Sequence, residues 1–206
     1  TLNSCWRTVV GRQSRISLEY GVEPDSRYHA GMNALPDSID IETGANPRAS
    51  IIVLHGLGAS GHDFEPFASQ INLSAVGPVR WVFPHAPQMP VSINGGYVMP
   101  AWYDIRADRS NEDEAGLRQS QALVEGLLAR EQARGVPAGR TVLAGFSQGC
   151  AMALMTGLRY SQRLAGVAGM SGYLPLAAAL GAERSQANVD VPVWLAHGTQ
   201  DEMVAL

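Results

Sequence analysis

The feature that most limits the fold is the stretch 145–149, GFSQG, in which a serine lies between two glycines. The four residues before it, TVLA at 141–144, are typical of a short buried strand. The six residues after it, CAMALM at 150–155, contain no proline and are mostly good helix formers. The pattern therefore predicts that a strand enters, a tight turn carries Ser147, and a helix leaves.

Such a turn forces the serine backbone into a strained conformation, and neighbours without side chains relieve the crowding. The hydroxyl of Ser147 would then stand at the carboxyl end of a strand, close to the N–H groups that open the next helix. This context is typical of a catalytic nucleophile. The alternative is an ordinary strand-to-helix turn in which Ser147 only caps the helix.

The composition indicates one soluble globular domain, or one domain with an appendage. The chain has 206 residues, of which 46% are hydrophobic and 17% charged, and its formal net charge is −4. No basic patch stands out, so a nucleic-acid partner is not expected. The sequence contains no lysine. This excludes lysine Schiff bases, P-loops and serine–lysine dyads.

Two cysteines, Cys5 and Cys150, make neither a disulfide framework nor a zinc site. Cys150 is expected to be a small buried apolar residue rather than a reactive thiol. No run of about twenty apolar residues predicts a membrane span, and the N-terminal residues lack the apolar core of a signal peptide. The expected location is cytoplasmic.

Residues 1–31 are rich in arginine, serine and glycine and lack a clear period. They are interpreted as an N-terminal extension of doubtful order, with Met32 as the natural start and 32–206 as the folded domain. The alternative is a genuine N-terminal hairpin, since residues 15–20 alternate polar and apolar side chains.

From Ser50 onward, apolar runs alternate with helical patterns, which predicts an α/β fold with a mostly parallel, doubly wound sheet and helices on both faces. The predicted strands cover residues 38–42, 50–54, 80–84, 141–144, 164–170 and 192–196. Ligands of such sheets bind at the carboxyl ends of the strands. The residues that fall there are His55, Ser147, Ser171 and Asp201.

Three connections carry further candidates. The glycine-rich loop 55–61, after which a helix is predicted from about Asp63, can supply a second oxyanion donor, or form a phosphate-binding turn, although it lacks the G-x-G-x-x-G spacing and a lysine. The long connection 85–105 is expected to begin with a stiff, proline-rich loop at 85–90, and its Trp102 and Tyr103 either line an acyl pocket or cap the core. The carboxylates at 112–114 are expected to cap a helix that runs to about Arg134, rather than to bind a metal.

Asp201 follows a predicted strand and is well placed to orient a catalytic histidine, or else it is a turn residue or a helix cap. No histidine follows it within the 206 residues. The histidines His29, His55, His62, His85 and His197 all precede Asp201. His55 and His197 could approach the site, but both are interpreted as structural residues that hydrogen-bond loop backbone.

Together these motifs resemble the acyl-protein thioesterase and bacterial carboxylesterase family of α/β-hydrolases. The blocks that carry the resemblance are LHGLG at 54–58, PHAP at 84–87, MPAWYD at 99–104, EDEAG at 112–116, GFSQG at 145–149 and HGTQD at 197–201. They occur in the family's order, and the resemblance covers residues 38–206.

The resemblance implies that Ser147 is the nucleophile and Asp201 the triad acid, with the backbone N–H groups of Leu57 and Gln148 as the oxyanion hole. It places Trp102 beside the acyl or entrance region. The reaction implied is hydrolysis of small carboxylic esters or acyl thioesters through an acyl-enzyme, without a metal or cofactor. The oligomeric state is left open, with a homodimer as one arrangement.

The chain departs from the family pattern at Cys150, where a glycine is usual, and at Ala205, where a proline is common. The family's histidine lies one strand and one loop beyond the acid. We therefore expect residues 32–206 to be an α/β-hydrolase domain without its C-terminal strand, histidine loop and last helix. The alternative is a catalytically crippled or non-catalytic hydrolase-fold module that binds a ligand or partner.

Overall fold

A computed structural model describes residues 35–106, 112–201, 203 and 204. The expectations for residues 1–31, including the alternative hairpin at 15–20, lie outside this range. The strands are β1 Ser38–Glu42, β2 Ala49–Leu54, β3 Val79–Pro84, β4 Gln88–Val91, β5 Tyr97–Pro100, β6 Thr141–Phe146, β7 Gly166–Met170 and β8 Val193–Ala196. The α-helices are α1 Phe67–Gln70, α2 Glu114–Ala133, α3 Gln148–Arg159 and α4 Leu180–Glu183. Short 3₁₀ helices cover Gly61–Phe64, Ser74–Val76, Ser92–Asn94, Ala138–Arg140, Ala177–Ala179 and Gln186–Asn188.

The central sheet has six strands in the order β1-β3-β2-β6-β7-β8. Only β1 runs antiparallel to its neighbour, and the other adjacent pairs are parallel. The chain winds outward from β2 on one side and from β6 on the other, so the switch point lies between them. Open α/β sheets bind ligands in the crevice at such a point. The prediction of a mostly parallel, doubly wound sheet is confirmed.

The two faces of the sheet are covered differently. Helices α2 and α3 pack on one face around a core that contains Leu143, Met152 and Leu127. On the other face, Phe64 and Phe67 from short helical turns pack against Trp81 and Phe83. The helix expected from residue 63 is therefore only a 3₁₀ turn followed by the single turn of α1. No helix within the described ranges has the length and apolar character that a membrane crossing requires.

Helix α2 begins and ends as its sequence predicts. The side chain of its N-cap, Asp113, accepts a hydrogen bond from the backbone N–H of Gly116 at 3.1 Å. At the other end the C-cap is Arg134, followed by Gly135 with a φ of 94°. The capping interpretation of the acidic cluster is confirmed for Asp113.

The connection after β3 contains a hairpin that the sequence analysis missed. Strands β4 and β5 pair antiparallel, with Met89 opposite Met99 and Val91 opposite Tyr97. Each strand contains a proline, Pro90 or Pro100, and proline within a run argues against a strand unless it lies at an edge. In a sheet of two strands both are edges, so the prolines are tolerated and the prediction of a loop at 85–90 was wrong from residue 88 onward.

Candidate active site

Ser147 occupies the junction of β6 and α3 in a backbone conformation that side chains rarely adopt. Its φ is 53° and its ψ is −117°. It stands at the N-cap position of α3, yet its side chain makes no capping hydrogen bond to the helix. The alternative that Ser147 is an ordinary cap is therefore wrong. Its backbone N–H donates instead to the carbonyl of Met170 at the end of β7, at 2.8 Å.

The two glycines that flank this serine are required because backbone packs directly against them. A Cβ on Gly145 would lie 2.1 Å from the carbonyl oxygen of Gly149. A Cβ on Gly149 would lie 2.1 Å from the carbonyl oxygen of Leu54 at the end of β2. The turn is thus closed tightly enough to hold Ser147 in its strained conformation.

Ser147 opens onto a pocket of about 860 Å³ at the carboxyl ends of the strands. Leu57, Ser171 and Asp201 line the same pocket. Its apolar wall consists of Phe64, Ile93, Tyr103, Ile105, Phe146, Tyr173, Met203 and Val204. The volume is in the range of ligand sites that bury a small organic molecule. Three residues predicted from separate motifs, Ser147, Leu57 and Asp201, are therefore brought together.

The backbone on either side of Ser147 can supply N–H donors to a developing oxyanion. Gln148 is the first residue of α3, so its N–H has no acceptor within the helix. Leu57 lies in the loop after β2, the strand beside β6, and it lines the pocket. In the hydrogen bonds of the described residues the Leu57 N–H has no acceptor. Gly56 packs against the serine, since a Cβ there would meet that of Ser147 at 3.3 Å.

Asp201 is held as a carboxylate by the turn that follows it. Its Oδ1 accepts from the N–H groups of Val204 at 2.9 Å and Met203 at 3.0 Å. The Val204 N–H above all, helped by that of Met203, by His197 and by the Ser171 hydroxyl, lowers the pKa of Asp201 below its ordinary value. An ionised carboxylate on the pocket wall is suited to orienting an imidazole. Ser171, which has a φ of 46°, thus connects the end of β7 to the acid.

None of the described histidines lines the pocket, and each has a hydrogen-bond partner. His55 is fully buried. Its Nδ1 donates to the carbonyl of Gly56 at 2.7 Å, and its Nε2 accepts from the N–H of Ala86 at 2.9 Å. Burial lowers the pKa of His55, so the ring is neutral.

The remaining described histidines also have partners among the described residues. His197 Nε2 donates to the carbonyl of Val204 at 2.8 Å and lies 3.6 Å from Asp201 Oδ2. His85 accepts from the Gly61 N–H at 3.2 Å, and His62 contacts the carboxylate of Glu65. His29 lies outside the described residues. The interpretation of His55 and His197 as structural residues fits these contacts.

Trp102 lies in the core beneath the pocket. Its side chain is 1% exposed and does not belong to the pocket wall, so the expectation that it borders the acyl region is not met. Its neighbour Tyr103 does reach the pocket, and its hydroxyl lies 3.0 Å from that of Tyr173. The sequence left both roles open for this pair because aromatic residues in a long connection serve a core and a pocket equally well.

Cys150 is the third residue of α3 and is 1% exposed. Burial raises the pKa of its thiol to about 11, so it is protonated at neutral pH. The prediction of a buried, unreactive cysteine is confirmed by this position. No group of three or more His, Cys, Asp or Glu side chains is placed to hold a metal ion in the part of the chain that the structure describes.

Comparison with known proteins shows the family of this chain. The phospholipase/carboxylesterase family matches residues 37–206, which is most of the chain. The chain belongs to the phospholipase/carboxylesterase family. The resemblance noted from the sequence motifs and the predicted α/β-hydrolase fold class are thereby confirmed.

Two curated relatives show how far this family resemblance extends. Acyl-protein thioesterase 1 of Schizosaccharomyces pombe is 41% identical over 175 residues, which cover 84% of this chain and 77% of the relative. Acyl-protein thioesterase 1 of Yarrowia lipolytica is 39% identical over 171 residues, which cover 81% of this chain and 75% of the relative.

Solved structures of the same fold superpose well on this family member. Arabidopsis thaliana SOBER1 aligns with a TM-score of 0.72 at 33% identity, covering 77% of this chain and 78% of that one. Zea mays acyl-protein thioesterase 2 aligns with a TM-score of 0.67 at 27% identity, covering 82% of this chain and 79% of that one.

The pocket wall residues Phe146, Tyr173 and Ile105 were missed by the sequence analysis, because side-chain direction at the end of a strand or in a loop follows from tertiary packing.

Proposed function

We propose that the protein is a serine hydrolase that cleaves carboxylic esters or acyl thioesters through an acyl-enzyme on Ser147. The observation that carries this proposal is the strained, uncapped Ser147 on the wall of a pocket that also contains Leu57 and Asp201. Backbone strain that the surrounding packing maintains is typical of functional sites. The family described as phospholipase/carboxylesterase supports the same class of reaction.

In the proposed reaction, the Ser147 oxygen attacks the carbonyl carbon of the bound ester while a general base takes its proton. The backbone N–H groups of Leu57 and Gln148 stabilise the oxyanion of the tetrahedral intermediate. Collapse of that intermediate breaks the bond to the alcohol or thiol, which leaves with the proton held by the base. The base then takes a proton from water as the water oxygen attacks the acyl carbon, the bond to the Ser147 oxygen breaks, and the base returns the proton to that oxygen as the acid product leaves. No cofactor or metal takes part in this scheme.

We propose that the base is a histidine that is not among the described residues, held by Asp201 through a carboxylate–imidazole hydrogen bond. Two observations support this. None of the described histidines lines the pocket, and each has at least one ring nitrogen bonded to another residue. The Asp201 carboxylate, by contrast, faces the pocket with a lowered pKa.

In the corresponding domain proposal, residues 1–31 are an extension and 32–206 are a hydrolase domain completed by a further strand, a histidine loop and a helix. The exposed apolar side chains of β8 support this proposal. Val193, Trp194 and Leu195 are 44%, 58% and 63% exposed, and no strand among those described pairs with the outer edge of β8. An apolar edge of this kind is normally covered in a stable protein.

The proposed substrate has a short or medium acyl group that the apolar wall of the pocket receives. Tyr103, Phe146 and Ile105 supply the aromatic and aliphatic surface, and Leu57 lies beside the serine. Because two relatives are named acyl-protein thioesterases, we include acyl thioesters among the proposed substrates. A cytoplasmic location, the absence of a nucleic-acid partner and a homodimer stay predictions.

The second candidate is a hydrolase-fold module that binds an acyl ligand without turning it over. The single observation that favours it is that no described histidine lines the pocket. Against it stands Ser147 itself, because a module that only binds gains nothing from a strained serine without a capping bond.

The experiment that tests the proposal is steady-state hydrolysis of p-nitrophenyl butyrate and of a short acyl thioester by the full natural chain, with Ser147→Ala as control. We expect turnover by the wild type alone, and covalent labelling of Ser147 by a fluorophosphonate. A folded wild-type protein that neither turns over nor labels, yet binds the acyl ligand, would establish the binding module instead. Turnover that survives Ser147→Ala would contradict the assignment of the nucleophile.

A further inference from the structure

Residues 100–103, which we call the brace, contact the loop that carries Leu57 at two points. The carbonyl of Pro100 accepts from the Gly58 N–H at 2.8 Å. The indole Nε1 of Trp102 donates to the carbonyl of His55 at 2.9 Å. These bonds hold the chain on both sides of Leu57 while leaving the N–H of Leu57 itself without an acceptor among the described residues.

The same segment contacts the turn that carries the second oxyanion donor. The side chain of Gln148 is 3% exposed. Its Oε1 accepts from the Trp102 N–H at 2.8 Å, and its Nε2 donates to the Tyr103 carbonyl at 2.7 Å. Both the oxygen and the nitrogen of the buried Gln148 amide are therefore hydrogen-bonded to the brace. These bonds couple the position of the first residue of α3 to that of residues 102 and 103.

The brace is itself anchored. The Ser120 hydroxyl of α2 donates to the carbonyl of Trp102, and the indole packs at 1% exposure with its ring centroid 5.6 Å from that of His55. Trp102 thus has its N–H, its carbonyl and its indole N–H all bonded within the core. Because Trp102 is held at three points, it can keep the loop that carries Leu57 at a fixed distance from the turn that carries Gln148.

We propose that the brace is a positioning element that sets the distance between the Leu57 and Gln148 N–H groups, acting through Trp102 and through its two hydrogen bonds with the Gln148 side chain. This inference rests on the proposed function, because it concerns the oxyanion of that reaction. Oxyanion donors act only when they lie about 2.7–3.1 Å from the developing charge. A misplacement of about 1 Å can lower the rate on the order of a hundredfold.

The chain offers a matched pair of tryptophans for the test. Trp81 is 2% exposed, as deeply buried as Trp102, but its Nε1 has no hydrogen-bond partner in the part of the chain that the structure describes. Trp102→Phe and Trp81→Phe make the same chemical change at similar burial. Only Trp102→Phe removes a hydrogen bond, and that bond reaches the oxyanion loop.

The measurement is kcat and KM for p-nitrophenyl butyrate in the full natural chain, together with thermal unfolding of each variant. For Trp102→Phe we expect kcat to fall by about tenfold with KM changed by less than about twofold, because transition-state stabilisation is lost and substrate binding is not. For Trp81→Phe we expect kcat to stay at the wild-type value. Gln148→Met, which keeps the backbone N–H and the side-chain volume, should lower kcat as Trp102→Phe does.

A second readout separates positioning from packing. A boronic acid forms a tetrahedral adduct with a catalytic serine and mimics the oxyanion. Its affinity should fall in parallel with kcat/KM for Trp102→Phe and for Gln148→Met, and should not fall for Trp81→Phe. If Trp102→Phe fails to fold, Gln148→Met carries the same comparison.

Two results would overturn the inference while the proposed function stands. One is wild-type turnover with equal kcat for the two Phe variants and for Gln148→Met. The other is a rise in KM alone for Trp102→Phe, which would make Trp102 a substrate contact. If the wild type shows no Ser147-dependent turnover, the proposed function fails and the inference fails with it.

Discussion

The two strands proposed to carry the nucleophile and the acid lie in unlike surroundings. Strand β6 is central, flanked by β2 and β7, and Ser147 at its end is enclosed by backbone that approaches Gly145 and Gly149. Strand β8 is the last in the sheet, and three of its four residues are exposed to solvent. Asp201 beyond it is oriented by its own turn and by Ser171.

This difference shows which part of the candidate site is fixed by the packing of the sheet and which part is fixed only by local hydrogen bonds. The proposed nucleophile and oxyanion donors lie at the ends of the central strands β2 and β6, where backbone packs closely, whereas the proposed acid is held by local hydrogen bonds at a sheet edge. Changes near β6 should therefore damage the fold and the chemistry together. Changes near β8 should affect the chemistry or the association state with smaller effects on folding.

The largest effect is expected from Gly149→Ala, because its Cβ would lie 2.1 Å from the Leu54 carbonyl oxygen. We expect the free energy of unfolding to fall by about 3 kcal/mol or more, with loss of activity. Urea denaturation followed by circular dichroism measures this. Gly181→Ala is the control, since a Cβ there meets nothing within 4 Å. If the two alanine variants are equally stable, the close packing around the serine turn is not as described.

Next comes Ser147 itself, where activity and stability should separate. Ser147→Ala should reduce turnover on the order of 10³-fold or more. Ser147→Gly should be equally inactive yet more stable than Ser147→Ala by about 1 kcal/mol, because glycine adopts a φ of 53° without strain. Esterase assays and thermal unfolding check both statements. Equal stability of the Ala and Gly variants would contradict the strain.

At β8, Asp201→Asn in the full natural chain should lower kcat on the order of 10²-fold or more, since the base loses its charged partner. The folded-state pKa of Asp201 is lower than its ordinary value. The ionised carboxylate therefore stabilises the turn above the ordinary pKa of about 3.9. That contribution is lost as the pH falls through the lower, folded-state pKa.

The pKa itself can be followed by NMR titration of the Asp201 carboxyl carbon. Asp190, whose pKa is also lowered, by the guanidinium of Arg163, is a control away from the pocket. Asp190→Asn should leave kcat unchanged. A kcat for Asp201→Asn that matches that of Asp190→Asn would remove Asp201 from the mechanism.

The smallest effect is expected for Trp194→Ala in the 206-residue chain. Trp194 is 58% exposed, so we expect a loss of about 1 kcal/mol or less, against about 3 kcal/mol or more for Trp81→Ala in the core. Chemical denaturation gives both values. If a further segment covers β8 in the full natural chain, the cost of Trp194→Ala should be clearly larger there. The same small cost in both chains would contradict the domain proposal.

Much of the fold could be predicted because its signals are local. The apolar run of β2 and the small-residue run of β7 are strands within one or two residues of the predicted bounds. The hairpin of β4 and β5 escaped prediction, since Pro90 and Pro100 argue against a strand until the pairing partner is known. The 3₁₀ turn at Gly61–Phe64 was likewise taken for the start of a longer helix.

The candidate site divides in the same way. The sequence by itself determined the strained turn at the serine, because a sharp strand-to-helix turn requires glycines on either side through backbone sterics. Only the tertiary structure decided that Trp102 lies under the pocket and that His55 is bonded at both ring nitrogens. The physical reason is that the burial and the partners of a side chain depend on which distant elements pack around it, and no spacing along the chain encodes that.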